Sequence, residues 1–331
     1  MTTTDRTAPR TGLLTVDGAI LHHEVRGEGP LLVMMPGGSV DAGIYDAIAA
    51  DLADRWTVAT FDPRGYSRSP LDGPVTEQLP ATHADDIVRL IEVLSPDGAP
   101  AALFGSSSSA VVALDVLARH PGRVSRVVAH EPPVVELLPD PEAGRALFAA
   151  VRESFRRDGV AAAMTTMAEG LTPAWGEDRA APEPAAVEAG STAREPEPMA
   201  PEPERAIPEP EPTAPARPEG PQGVPPEGPP EVPPAQAEVF RRMHANLPVF
   251  LEHVLCSFSG YVPDLVALKT AAARLVVGVG HDSRALLPAV AAEALARRVD
   301  ARAAEFPGGH IGLTEDPRAF AARLRDVLLA P

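Results

Sequence analysis

The chain has 331 residues, of which 44% are hydrophobic and only 4% aromatic, so its core must be filled mostly by Leu, Val and Ala. Its formal net charge of −17 repels phosphate backbones, which argues against nucleic acid and anionic membrane surfaces as partners. One cysteine, Cys256, excludes an intramolecular disulfide and any cysteine-based metal cluster; between Leu255 and Ser257 it reads as a core filler.

The N-terminal stretch MTTTDRTAPRTG carries no apolar run of signal-peptide length. No segment approaches the ~20 consecutive apolar residues of a membrane span. A soluble, cytoplasmic protein is therefore expected. Leu13–Val16 and Ala19–Val25 read as strands joined by Asp17-Gly18, a strong hairpin signal. Leu31–Met35 is a continuous apolar run that stops at Pro36-Gly37-Gly38, and Asp41–Leu52 has helical spacing. Trp56–Phe61 reads as a strand, Thr82–Leu94 as a helix, Ala101–Phe104 as a strand, Ser108–Arg119 as a helix and Val124–Ala129 as a strand. Late in the chain, strands Arg274–Val279 and Ala301–Phe306 flank a helix near Leu287–Arg298, and Asp316–Leu329 closes the chain as a helix. Strands alternating with helices in this way predict a mainly parallel sheet covered on both faces.

The alternation breaks between Glu131 and about Leu265. Helical text there (Gly144–Arg157, Val160–Glu169, Gln236–Leu255) surrounds a proline-rich tract. Of the 39 prolines, 18 fall between Pro182 and Glu238, with 12 Glu, no Asp and 3 Arg, so a net −9 of the −17 belongs to this tract. Proline removes backbone donors, and large apolar side chains are almost absent, so the tract is expected to be extended and disordered. The organisation expected is an α/β core over 11–135 and 262–330, and a helical lid over 136–261 carrying a Pro/Glu-rich insert at 182–235.

Chemistry concentrates at four consecutive serines, Gly105-Ser106-Ser107-Ser108-Ser109. A linker is seldom flanked so tightly by buried-type sequence. A strand that turns at once into a helix strains the turn residue and needs small neighbours two positions either side, here Gly105 and Ser109. Ser107 then stands at the apex, and the start of the helix directs positive potential at the same spot. An ordinary strand-to-helix turn is the rival reading.

The pattern resembles the G-x-S-x-G elbow of the α/β-hydrolase superfamily, with serine in place of the last glycine. Two further segments are similar to that family. Met34-Met35-Pro36-Gly37-Gly38-Ser39 stands where its oxyanion loop falls, with Pro36 where a histidine is usual. Phe61-Asp62-Pro63-Arg64-Gly65-Tyr66-Ser67-Arg68-Ser69 looks like its D-x-R-G-x-G-x-S segment, with Ser67 replacing the second glycine. A plain glycine turn is the rival for Gly37. The resemblance implies an α/β-hydrolase fold and a triad in the chain order Ser107, Asp282, His310.

In that scheme Ser107 is the nucleophile, His310 in Phe306-Pro-Gly-Gly-His310 is general base and then acid, and Asp282 after the strand ending near Val279 orients the imidazole. Glu131, in Ala129-His-Glu-Pro-Pro133, is the second candidate for the acid, though a loop carboxylate shaping the lid entrance is the preferred reading of it. The N–H groups of Gly38 and Ser108 would form the oxyanion hole. Asp62 and Arg64 would hydrogen-bond loops around the elbow. His22, His23, His83, His120, His244 and His253 read as structural, and no metal site or cofactor is implied. Lid residues Leu147, Phe148, Val151, Phe155, Phe250 and Leu251 suit either an apolar pocket or plain lid packing. The function expected is hydrolysis of an ester or related acyl bond of a small, apolar molecule. A non-catalytic relative that binds a ligand or partner is the alternative.

Overall fold

The computed structural model describes residues 8–172, 175 and 234–330. The Pro/Glu-rich insert expected over 182–235 lies almost wholly outside the described residues.

Two strands, β1 (Arg10–Val16) and β2 (Ala19–Arg26), pair antiparallel through Asp17-Gly18, and Gly18 takes the positive φ of 73° that such a turn needs. Strand β3 (Leu31–Met35) is followed by a 3₁₀ turn, helix α1 (Asp46–Leu52) and strand β4 (Thr57–Phe61). Helix α2 (Pro80–Leu94), strand β5 (Ala101–Ser106), helix α3 (Ser108–Arg119) and strand β6 (Val124–His130) follow in strict alternation. Helices α4 (Pro141–Asp158), α5 (Val160–Leu171), α6 (Pro234–Val249), α7 (Leu255–Ser259) and α8 (Leu265–Thr270) precede strand β7 (Leu275–Gly280). The chain ends with α9 (Leu287–Val299), β8 (Arg302–Phe306), α10 (Gly312–Glu315) and α11 (Pro317–Leu329). Among the described residues no helix is long and apolar enough to cross a membrane.

The strands form one eight-stranded sheet in the order β1-β2-β4-β3-β5-β6-β7-β8. The β1–β2 and β2–β4 pairs are antiparallel and all others parallel. Strand β3 shows why the apolar runs are continuous. Leu31, Val33 and Met35 point into one core with α2, α3 and α9, while Leu32 and Met34 point into the other with Tyr45, Ile48, Phe104 and Phe320. A parallel sheet is buried on both faces, so a two-residue alternation of polar and apolar is not expected in it.

Register brings the C-terminal ends of the central strands level: Ser106 lies opposite His130, and Gly280 opposite Phe306. The chain leaves the sheet after His130 and re-enters at Leu275, and the helices between pack largely on one another. Pro248 lacks the donor that would continue α6, and the next five residues, Phe250–Val254, widen into a π turn.

Candidate active site

The elbow is drawn tight by small residues. Strand β5 ends at Ser106 and α3 starts at Ser108, leaving Ser107 at φ 57° and ψ −124°. A non-glycine residue held at positive φ stores strain on the order of 1–3 kcal/mol, and persists only where its surroundings enforce it. Here the enforcement is visible. The Ser107 N–H donates to the His130 carbonyl at 2.9 Å. A Cβ on Gly105 would lie 2.5 Å from the Ser109 carbonyl oxygen, and one on Gly37 would overlap the Ser106 carbonyl. Ser109, where the superfamily usually has glycine, is fully used. Its single hydroxyl proton lies between the carbonyls of Met35 (2.6 Å) and Ser106 (2.9 Å), and its oxygen accepts from Ser106 N–H (3.0 Å). That hydroxyl ties the oxyanion-loop strand to the elbow, a bond glycine could not make.

His310 follows β8 in a glycine-rich loop, and its Nδ1 lies 2.6 Å from Glu131 Oε2. The carboxylate beside His310 is thus Glu131 and not Asp282. The reason is local. After β7 a short turn, His281–Ser283, carries Asp282 outward, where its side chain is 68% exposed and, among the described residues, its carboxylate meets His281 at 4.0 Å. The next residue, Ser283, turns inward and donates its hydroxyl to Glu131 Oε1. Glu131 itself is fully buried and leaves β6 at φ 47°. Its Oε1 also accepts from Gly280 N–H at 2.8 Å. Burial alone would raise the Glu131 carboxyl. The hydrogen bond and electrostatic attraction of His310, with His130 and the Ser283 hydroxyl, outweigh it and hold the group below the usual carboxylate range. With Nδ1 bonded to this carboxylate, His310 Nε2 has no protein partner among the described residues and is free to exchange a proton.

Gly38, at φ 61°, directs its N–H to the Ser108 hydroxyl oxygen at 2.8 Å. The Ser108 N–H, first in α3, has no acceptor among the described residues, as expected for a helix N-terminus. Tyr66 Oη donates to the Gly38 carbonyl at 3.0 Å, and Asn246 of α6 donates to the Ser39 carbonyl at 3.0 Å. A cavity opens beside these groups, lined by apolar Met35, Phe61, Ile87, Val112, Val254 and Phe258 together with Ser108, His83 and Asp86. Of the inserted residues, Val254 and Phe258 reach it. Phe148, Val151, Phe250 and Leu251 are instead buried in the larger core.

Asp62 and Arg64 have separate tasks. Asp62 accepts from Ala42 N–H (3.1 Å) and from Arg68, which steadies the loop after β3. Arg64 does not touch the elbow; it grips Asp86 of α2 with two bonds of 2.7 and 2.6 Å and the Asp17 carbonyl of the hairpin. The pair Ser106 Oγ and His130 Nδ1, 3.2 Å apart, resembles a second serine–histidine couple. His130 is fully buried between the rings of Phe306 and Phe320, and burial holds its pKa down to about 4. It is not among the residues that line the cavity described above.

The α/β hydrolase fold family matches residues 30–208, and the chain belongs to that family. It is 29% identical over 321 residues to an uncharacterised hydrolase, YraK, of Bacillus subtilis, covering 96% of this chain and 95% of that protein. Among solved structures it is similar to a thermophilic esterase from Thermogutta terrifontis (TM-score 0.62, 19% identity, 96% of this chain and 98% of that one). It is also similar to the enol-lactonase of Burkholderia xenovorans (TM-score 0.56, 17% identity, 96% and 100%).

Proposed function

We propose that the chain is a serine hydrolase that cleaves an ester or related acyl bond of a small molecule, with Ser107 as nucleophile, His310 as base and Glu131 as the acid that orients it. The observations that carry this are the 2.6 Å bond between His310 and a buried, ionised Glu131, and a serine at strained positive φ whose N–H is bonded to the carbonyl of His130, the residue before Glu131. The pairing fixes the imidazole tautomer with its proton on Nδ1, so Nε2 is the basic atom.

The Ser107 Oγ attacks the acyl carbon while His310 Nε2 takes its proton. The tetrahedral oxyanion is received at the Ser108 N–H, beside Gly38, whose own N–H is bonded to the Ser108 hydroxyl. Collapse expels the leaving alcohol, which takes the proton from Nε2. Water then attacks the acyl-enzyme, loses a proton to Nε2 and releases the acid, and the proton returns to Ser107. The helices within 136–261 serve as a lid on the core formed by 11–135 and 262–330, and Val254 and Phe258 give the acyl pocket an apolar wall. The esterase and lactonase named in similar structures favour the same bond class.

A fluorophosphonate probe tests the reading: the wild-type protein should label covalently and Ser107→Ala should not. A folded wild-type protein that resists the probe would refute it.

A further inference from the structure

We propose that the side-chain hydroxyl of Ser108 is a catalytic donor to the oxyanion, charged for that task by the Gly38 N–H that it accepts. The inference rests on Ser107 being the nucleophile and makes this hydroxyl, in place of the Gly38 N–H, the second donor beside the Ser108 N–H.

The four serines differ in what their hydroxyls do. Ser106 Oγ meets His130 Nδ1. Ser109 Oγ has two acceptors and one donor. Ser107 stands at the apex as the attacking group. Ser108 Oγ accepts one bond, from Gly38 N–H at 2.8 Å, and its own proton has no acceptor among the described residues. The side chain is nearly buried, at 7% exposure, yet Ser108 lines the cavity together with Gly38. A buried hydroxyl proton without an acceptor carries a cost that a ligand oxygen can relieve.

The geometry also decides which way the hydrogen bonds run. An oxygen bound by the Ser108 amide is within reach of the hydroxyl on the same residue. The Gly38 N–H already feeds electron demand into that hydroxyl, and a hydroxyl that accepts a bond becomes a stronger donor. The relay is Gly38 N–H to Ser108 Oγ, and Ser108 Oγ–H to the developing oxyanion, alongside the Ser108 N–H. The contrary arrangement is a plug, in which the hydroxyl fills the hole and must swing aside for substrate to bind.

Steady-state hydrolysis of p-nitrophenyl butyrate by wild type, Ser108→Ala and Ser108→Thr separates the two, with thermal melts of each variant as a control on folding. Removing one oxyanion donor costs on the order of 10²–10³ in kcat, and release of the Gly38 N–H in Ser108→Ala recovers part of it. The expected loss is therefore about 10- to 100-fold in kcat with KM changed less than about threefold, while Ser108→Thr, which keeps the hydroxyl, retains a higher kcat than Ser108→Ala. Affinity for an alkyl trifluoromethyl ketone, whose adduct with Ser107 carries the oxyanion, should weaken by the same factor as kcat. Ser108→Ala with kcat equal to or above wild type, in a protein that labels normally with fluorophosphonate, overturns the relay alone. A wild-type protein that neither labels nor turns over the ester overturns the underlying reading and the relay with it.

Discussion

A carboxylate does two jobs at position 131, and one substitution separates it from its rival. Glu131→Gln keeps an oxygen for Gly280 N–H and Ser283 but removes the charge that fixes the His310 tautomer. It should lower kcat by about 10³- to 10⁴-fold, the scale seen when the acid of such a triad becomes an amide. Asp282→Asn, at an exposed side chain, should stay within about twofold in the same ester assay. The opposite ranking would return the role to Asp282. Chain order placed both carboxylates at strand ends but could not say which turn faces inward. That depends on the β7 turn presenting Ser283 rather than Asp282, and on Glu131 adopting positive φ, and neither has a signature in residue type. By contrast the tight turn at Ser107 and the loop that carries His310 were legible, because small residues around a serine and glycines around a histidine are demands of the backbone itself. Ser109 is a further case at this scale. Ser109→Ala removes the acceptor of the buried Ser106 N–H, and differential scanning calorimetry should report a loss of about 1–3 kcal/mol.

At the scale of elements, the β5–α3 junction and the sheet were readable and the docking of α6 was not. Strand and helix bounds followed the apolar periodicity to within a few residues, and α3 coincides with the helix expected over Ser108–Arg119. Nothing in the pattern of α6 announced its partners. Arg242 holds the buried Asp41 with bonds of 2.5 and 3.2 Å. Asn246 accepts from Ser67 N–H at 2.9 Å and donates to the Ser67 hydroxyl and the Ser39 carbonyl. Ser67, at φ 45°, is the residue that stands where a second glycine was expected, so its hydroxyl accounts for the departure. The helix is thereby fastened to the loop that carries Gly38. Asn246→Ala should speed amide hydrogen exchange in α6 and raise KM more than it lowers kcat. Unchanged exchange in α6 would mean that these bonds do not hold the helix.

Over the whole molecule, the buried histidines set the response to acid. Burial lowers His83, to about 3, and His130, to about 4; burial with the charge of Arg68 lowers His22, and burial with His22 lowers His23. The unfolded chain binds these protons near pH 6.5 and the folded chain does not. Their stabilisation is therefore complete above about pH 6.5 and is lost as the pH falls toward the folded values. Each histidine not yet protonated in the fold contributes a slope of about 1.4 kcal/mol per pH unit in that window. The depressed Glu131 carboxyl has the same sign, adding a further loss below its unfolded value, near about pH 4.3. Thermal midpoints measured from about pH 7 down to about pH 4 should drop steeply below about pH 6, and a flat profile would contradict it. The charge total of −17 foretold none of this, because more than half of it lies in the tract between Pro182 and Glu238.

The bonds from Gly280 and Ser283 to Glu131 join the end of β6, where the chain leaves the sheet, to the end of its neighbour β7, the first strand after the excursion. The strands on either side of the long excursion are therefore tied at their C-terminal ends by the same carboxylate that faces the imidazole. Whatever length of chain is spliced between those two strands, the closure cost grows only with the logarithm of that length, and the tie does not feel it. Such a clasp leaves evolution free to pay out or reel in the excursion while the reaction centre stays fixed.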